Sequence, residues 1–446
     1  MIDDKMPLTG FSASGAFVNR FTQLHSDRVL AAASGGIKWD SHDTHGERME
    51  SGFAMTDSDR RYDLDWLRVI ATLLVFLFHC TRFYGGGGWH LKHPGGDTLP
   101  ATLLIGLLDL WLMPFFFLLS GAGTYYALGS RSAGQYLMGR VKRILVPLYG
   151  VGAFMVLLPQ VYFEAVTNGG YRGGFWEGLP HYLAQIFTTP PSFETPFIFN
   201  LFLGHLWFLQ FLFLISLMSL PLLIHLKSER GRARVRRLAG WCGRRGGILI
   251  FIVPLAFVRI AFVHLFRGQM HSWAHLLYFG VFFSIGYLLP MDRRFSEGIR
   301  KVGWWCLALG SLGFAVEGVF ILGLDYNYAN QLQPGGEPFS LAYVVFNLIF
   351  SAACWSWVVF MLSLGDRFLS FTKRHLPYAN EAVLPFYVLH QTIILCAGWF
   401  ILPTEVGRLP QFLLIAAVSF AAILMVYEGL IRRTRWLRLL FGMRTR

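Results

Sequence analysis

The sequence predicts an all-α integral membrane protein, a bundle of about ten transmembrane helices with both termini cytoplasmic. Three observations predict it. Of the 446 residues, 54% are apolar and only 15% charged, against about 25% charged in an ordinary soluble domain. Apolar runs recur at the roughly 20-residue length that carries a helix across about 30 Å of hydrocarbon. The basic residues gather in alternate loops between those runs. No hydrophilic block after residue 62 is long enough for a soluble domain, and the net charge of +13 lies in inter-helix loops. A soluble enzyme, a secreted disulfide scaffold and a free nucleic-acid binder are therefore excluded.

The spans fall at 64–84, 101–128, 143–165, 200–226, 248–266, 273–290, 301–322, 339–364, 381–401 and 410–431. An even count puts both termini on one side. The loops that share that side (129–143, 227–247, 291–301, 365–380 and 432–446) hold 25 Lys and Arg, whereas the opposite loops hold 4. Basic loops stay in the cytoplasm, so the expected location is a bacterial inner membrane crossed many times. Residues 1–60 are polar and mixed in charge, without the apolar core of a signal peptide. They read as a disordered cytoplasmic tail, or as a segment ahead of a true start at Met49 or Met55, leaving 61–442 as the membrane domain.

The run from Lys227 to Arg245 carries eight basic residues and reads as an orientation signal touching anionic lipid. Cys80, Cys242, Cys306, Cys354 and Cys396 form no CxxC pair and read as small core residues; no metal site is expected. His90 and His93 have metal-like spacing but no third ligand nearby, and read as solvated. Gly85 to Gly88 is a flexible turn lacking a phosphate cradle's lysine. Ser120-Gly121 lacks the flanks of a nucleophile elbow.

Charged side chains at a helix centre cost about 2.5–3.5 kcal/mol on insertion scales, so they mark protein-lined sites. The first span holds the densest set. Arg68 and His79 are eleven residues apart, which is three turns plus about 20° and roughly 16 Å of rise. They share one face. Alone, Arg68 reads as snorkelling to the headgroups and His79 as bonding a neighbouring helix. Aligned, they suit a thioester donor threaded inward, with an anionic nucleotide at the arginine and a pantetheine arm reaching the histidine. Arg82 extends the stripe outward, or anchors at the interface. Asp65 sits at i−3 from Arg68 and is read first as the residue that holds it, then as a catalytic group.

His205 and Trp207 open the fourth span from the side where His79 lies, so two imidazoles would converge. Tyr387, His390 and Gln391 fall near the middle of the ninth span, behind Glu381. Glu428, Glu317 and Asp109 each read as helix-packing hydrogen-bond partners. Arg140 and Arg143, ahead of Pro147, share a side at i,i+3 spacing, able to chelate phosphates or to act as a positive-inside stop.

Taken in order, these motifs resemble the family-3 integral membrane acyltransferases. The resemblance spans 61–442. It rests on Arg68-x10-His79, on Met113-Pro-Phe-Phe-Phe-Leu-Leu-Ser-Gly121, and on Arg140-x-x-Arg143 with Pro147. His205-Leu-Trp-Phe-Leu209, the stretch from Asn380 to Gln391 and Tyr427-Glu428 complete it. Within the family the motifs are most similar to the branch that succinylates periplasmic glucans, from which the long N-terminal tail departs. The resemblance implies transfer of an acyl group from cytoplasmic acyl-CoA, either succinyl-CoA or acetyl-CoA, to a hydroxyl of a glycan or other envelope acceptor.

Such a reaction needs a base for the hydroxyl proton, and an imidazole with its ordinary pKa of about 6.5 suits that task. His79 is the expected base, with Asp65, His205 or Glu428 orienting or tuning it. Arg68, Arg140 and Arg143 are the expected ligands of the CoA phosphates, and Arg82, Trp207 and His390 are expected to line the acceptor side. The rival reading is a transporter or flippase of a lipid-linked sugar, which ten spans with buried polar groups would equally suit. A weaker third reading is an inactive scaffold in an envelope glycan complex.

Overall fold

Lipid offers no partner for backbone N–H and C=O groups, so a spanning chain without a closed barrel must be helical. The computed structural model describes residues 61–188, 196, 203–266, 271–323 and 338–443, and among them there are helices and no strands. The reading of residues 1–60 lies outside the described residues.

Eight helices are long and apolar enough to cross a membrane, and two further bent pairs bring the total to as many as ten. The straight spans are Tyr62–Thr81, Leu99–Ser130, Gly247–Phe266, Trp273–Met291, Arg293–Val319, Leu341–Phe368, Leu376–Ile401 and Arg408–Ile431. The bent pairs supply the third and fourth spans, and each break has a local cause. Ala133–Phe154 and Leu157–Thr167 meet at 41°, where Pro159 lacks the N–H that would continue the ladder. Gly204–Met218 and Leu220–Lys227 meet at 47°, with Pro221 in the first turn of the second piece.

Helix packing in lipid depends on close approach rather than on hydrophobic drive. The second span supplies the centre: Phe115, Phe116, Phe117, Leu118 and Leu119 are fully buried. A Cβ on Gly121 would strike the Phe283 carbonyl, and one on Gly286 would strike the Leu118 carbonyl. The second and sixth spans therefore cross backbone to backbone, and this crossing accounts for Gly121 in the second-span motif. The tenth span is peripheral, with Leu413, Leu414, Val418 and Met425 exposed toward the lipid. The five cysteines are free thiols, four buried and Cys396 half-buried.

The alternating topology gathers the basic loops on one face. There Trp66 Nε1 donates to the Phe371 carbonyl at 3.0 Å, Lys301 Nζ to the Gly243 carbonyl at 2.6 Å, and Arg438 to Glu381 at 2.8 Å. On the other face Asn168 donates to the Trp89 carbonyl at 3.3 Å and Arg408 reaches the Gly95 carbonyl.

The glycine crossing makes a direct prediction. Gly121→Val or Gly286→Val should cost more than the ~1–3 kcal/mol usual for overpacking, because backbone atoms cannot repack. The readout is the yield of monodisperse protein in detergent, and a native-like yield from both variants would contradict the crossing.

Candidate active site

The first and ninth spans run parallel and are joined by two polar rungs. At the basic-face end Arg68 is fully buried, and its Nη1 donates to Asp65 Oδ1 at 2.9 Å and to Asn380 Oδ1 at 3.0 Å. Asp65 therefore holds Arg68, the first of its two expected roles. Arg68 does not snorkel to the headgroups, because its side chain points into the bundle.

Eleven residues on, His79 is also fully buried, and His390 Nε2 lies 3.3 Å from its Nδ1. His79 Nδ1 stands 2.9 Å from the Val75 carbonyl. A carbonyl only accepts, so Nδ1 carries the proton and Nε2 bears the lone pair. That Nε2 is buried and has no hydrogen-bond partner among the described residues. His390 Nδ1 is held in the same way by the Tyr387 carbonyl at 2.5 Å.

His205 completes a three-imidazole cluster, its ring centroid 5.0 Å from that of His390, which is 4.8 Å from that of His79. His205 Nε2 donates to the Val388 carbonyl at 3.1 Å, and the Tyr387 hydroxyl donates to the His205 carbonyl at 2.6 Å. The convergence expected for His79 and His205 is present, with His390 between them.

Around the imidazoles lies an amide chain that the sequence did not announce. Gln160 Nε2 stands 3.2 Å from His205 Nδ1, and Gln391 Nε2 donates to Gln160 Oε1 at 3.0 Å and to His90 Nε2 at 3.1 Å. The bend of the third span serves this chain: at the break, the Val156 carbonyl accepts from Thr392 Oγ1 at 2.7 Å. His90 was expected to be solvated. It is only 5% exposed, and its Nδ1 lies 2.9 Å from Glu164 Oε2. The carboxylate missing from the local sequence comes from a residue 74 positions away.

Arg82 is buried rather than interfacial. Its guanidinium lies 5.2 Å from the Trp89 ring centroid and bonds the Gly86 and Gly88 carbonyls. The glycine turn is thus wrapped around Arg82, not free. Trp89 packs between His79 and His90 at centroid distances of 5.5 and 5.0 Å, with its Nε1 buried and unpartnered among the described residues.

Three expected residues stand apart from the imidazoles. Trp207 points the other way, its ring 4.2 Å from that of His271 and 5.7 Å from that of Phe279, because two helical steps turn it about 200° from His205. Glu428 is half-exposed on the basic face and 2.9 Å from Arg432 Nη1. Arg432 also approaches Glu381, nine residues before His390, so Glu428 lies about 14 Å along the axis from the cluster. It neutralises Arg432. Asp109, expected to bond a neighbouring helix, is exposed and lies within electrostatic reach of Arg82.

The arginine pair divides. Arg140 is buried, with Nε donating to the Tyr136 hydroxyl at 2.9 Å and Nη2 to Thr124 Oγ1 at 2.5 Å. Arg143 is half-buried on the π-helical turn Val141–Leu145, within electrostatic reach of Arg131 and Arg140. Three π-helical segments, this one, Pro147–Val156 and Tyr427–Ile431, carry residues singled out in the sequence; wide turns of this type frequently mark functional segments.

A second buried polar group joins the fifth, seventh and eighth spans. Arg259, 2% exposed, donates to Asn347 Oδ1 at 3.1 Å and lies 3.6 Å from the Phe350 ring centroid, while buried Glu317 sits in its field. A lone arginine within the apolar run 248–266 was the available signal.

An acyltransferase domain family matches residues 61–428, and the chain belongs to this acyltransferase-3 family. It is a multi-pass membrane O-acyltransferase. It is similar to glucans biosynthesis protein C of Salmonella schwarzengrund (strain CVM19633), 23% identical over 378 residues, covering 83% of this chain and 91% of the relative. The same protein of Salmonella paratyphi A (strain ATCC 9150 / SARB42) is 23% identical over 381 residues with the same coverage. No solved structure matches the chain. Family membership sets aside the transporter and flippase reading.

The Arg68 rung predicts a stability effect. Asp65→Ala removes the counter-charge of a buried guanidinium and should cost about 3–5 kcal/mol, read as a lowered unfolding midpoint in detergent. An unchanged midpoint would make Asp65 dispensable for holding Arg68.

Proposed function

We propose that the protein transfers an acyl group, succinyl or acetyl, from acyl-CoA at the basic face to a hydroxyl of a glycan or other envelope acceptor, with His79 as general base. The observation that carries this reading is the unpartnered, proton-free Nε2 of His79. Val75 fixes the tautomer, so no reorganisation precedes proton transfer. The positive-inside rule places the basic face in the cytoplasm, where acyl-CoA is made, and both termini with it. The expected membrane is the bacterial inner membrane.

In this scheme Nε2 takes the proton as the acceptor oxygen attacks the thioester carbon. The tetrahedral intermediate collapses, the C–S bond breaks, and His79 returns the proton to the departing thiolate. His390 and His205 hold the base in place, directly and through the ninth-span carbonyls. The unpartnered Trp89 Nε1 and Gln391 Oε1 offer one donor and one acceptor, the complement of a hydroxyl-bearing substrate.

Arg143 presents its guanidinium to the CoA phosphates, with Arg140 behind it on Thr124 and Tyr136. Arg68 lies inside, between that face and the imidazoles, and meets the donor's pantetheine arm rather than its nucleotide. The relatives' name, together with the motif resemblance, supports a glucan acceptor.

Two variants and one assay test this. His79→Ala should lower turnover of labelled succinyl- or acetyl-CoA by about 10²–10⁴-fold while acyl-CoA binding is retained; near-native turnover would remove His79 from the base role. Arg143→Ala should raise the KM for acyl-CoA by roughly 10–100-fold, the value of a charged hydrogen bond, with kcat little changed. A purified protein that consumed neither acyl-CoA in the presence of glucan would overturn the donors and acceptor proposed here.

A further inference from the structure

The segment between the fourth and fifth spans does more than carry positive charge. Ser228 caps it, its Oγ accepting from the Gly231 N–H at 3.1 Å, and the helix Glu229–Cys242 follows. Gly231, Val235, Ala239 and Cys242 are buried at spacings of four, four and three residues. That is one face of a helix lying against the bundle. Arg230, Arg232, Arg234, Arg236 and Arg237 are exposed on the other side.

This helix is pinned to the start of the seventh span. A Cβ on Gly298 would strike the Cys242 carbonyl, so the two elements touch through backbone. Lys301 Nζ closes the contact on the Gly243 carbonyl at 2.6 Å. Between them lies an open basin of about 640 Å³, lined by Arg236, Arg237, Gly240, Trp241, Arg244 and Arg294. The volume falls within the range of about 300–1,000 Å³ common for small-ligand sites.

One arginine of the basin, Arg294, is held in place by hydrogen bonds. Arg294 Nη2 donates to Asp292 Oδ2 at 2.7 Å and to the Arg236 carbonyl at 3.0 Å, and its Nε donates to Asp292 Oδ1 at 3.0 Å. The hydrogen bonds from Arg294, with the field of Arg236, hold the Asp292 carboxyl below its ordinary range. Asp292 offsets one of the four guanidiniums, and the others remain in excess. A planar guanidinium fork matches the oxygens of a phosphate.

Exposed tryptophans run from the basin along the seventh span. Trp241 is 45% exposed, and farther along the seventh span Trp304 and Trp305 are 54% and 66% exposed. Arg294 to Trp304 is about 15 Å of helix. Exposed tryptophans next to arginines are the pattern of a membrane interface. Arg140, by contrast, is engaged with Tyr136 and Thr124 on other elements.

We propose that this basin binds the phosphate-bearing headgroup of an anionic membrane phospholipid, with the acyl chains lying beyond the tryptophan rim. The site is independent of the acyl-transfer reading. It fixes the helix Glu229–Cys242 at the membrane surface and makes the seventh span's position depend on lipid charge.

The test uses the full chain purified in detergent and titrated with phosphatidylglycerol or phosphatidylcholine, with bound lipid counted by native mass spectrometry. The protein should retain phosphatidylglycerol in preference. Combined Arg236→Gln, Arg237→Gln and Arg244→Gln should reduce that preference about fivefold per charge removed. Arg230→Gln with Arg232→Gln, on the same helix outside the basin, should leave it unchanged. If the triple variant does not fold, Arg244→Gln alone carries the same comparison. Equal losses in both sets would mean a diffuse field and overturn the site. Displacement of the lipid by coenzyme A, or a raised acyl-CoA KM in the basin variant, would make the basin a nucleotide site and also overturn the proposal.

Discussion

A guanidinium buried among membrane helices needs partners, and Arg68 finds them in Asp65 and Asn380. The rest of the candidate site follows from that constraint. Asn380 begins the ninth span, so satisfying Arg68 fixes the ninth helix beside the first. Both helices then advance in the same direction at about 1.5 Å per residue. Eleven residues along one and ten along the other, His79 and His390 meet at 3.3 Å. One ion pair toward the basic-face end of the bundle thus sets the register of an imidazole pair about 16 Å farther along the helices.

The imidazoles are in turn constrained by carbonyls. His79, His205 and His390 each place a ring nitrogen on a backbone oxygen, from Val75, Val388 and Tyr387. In lipid these oxygens have no competing water, so the tautomers are decided by helix geometry. The broken third span belongs to the same arrangement, since its bend brings Gln160 and the Val156 carbonyl against the ninth span. What looks like a local defect places the amide chain that links His205 to His90.

The two faces of the molecule carry different chemistry. The basic face combines π-helical turns, paired arginines and an amphipathic helix bearing guanidiniums, all suited to phosphates. The opposite half carries imidazoles, amides and an indole, suited to neutral hydroxyls. The proposed transfer from an anionic nucleotide carrier to a sugar hydroxyl would use this order along the membrane normal.

By itself the sequence determined the spans, because the absence of water in hydrocarbon forces long helical runs that composition alone reveals. Helical periodicity also aligned Arg68 with His79, and the i−3 spacing paired Asp65 with Arg68. Tertiary structure decided what no local pattern encodes. His90 resembled a solvated loop residue until Glu164 and Gln391 arrived from the third and ninth spans. Trp207 and Glu428 resembled site residues until helix rotation and axial position carried them elsewhere. Arg259 stands out as a lone charge in an apolar run, but its partner Asn347, 88 positions away, is set only by helix packing. Spacing along one helix is fixed by covalent geometry, whereas contacts between helices depend on where each one bends and which small residues let backbones touch.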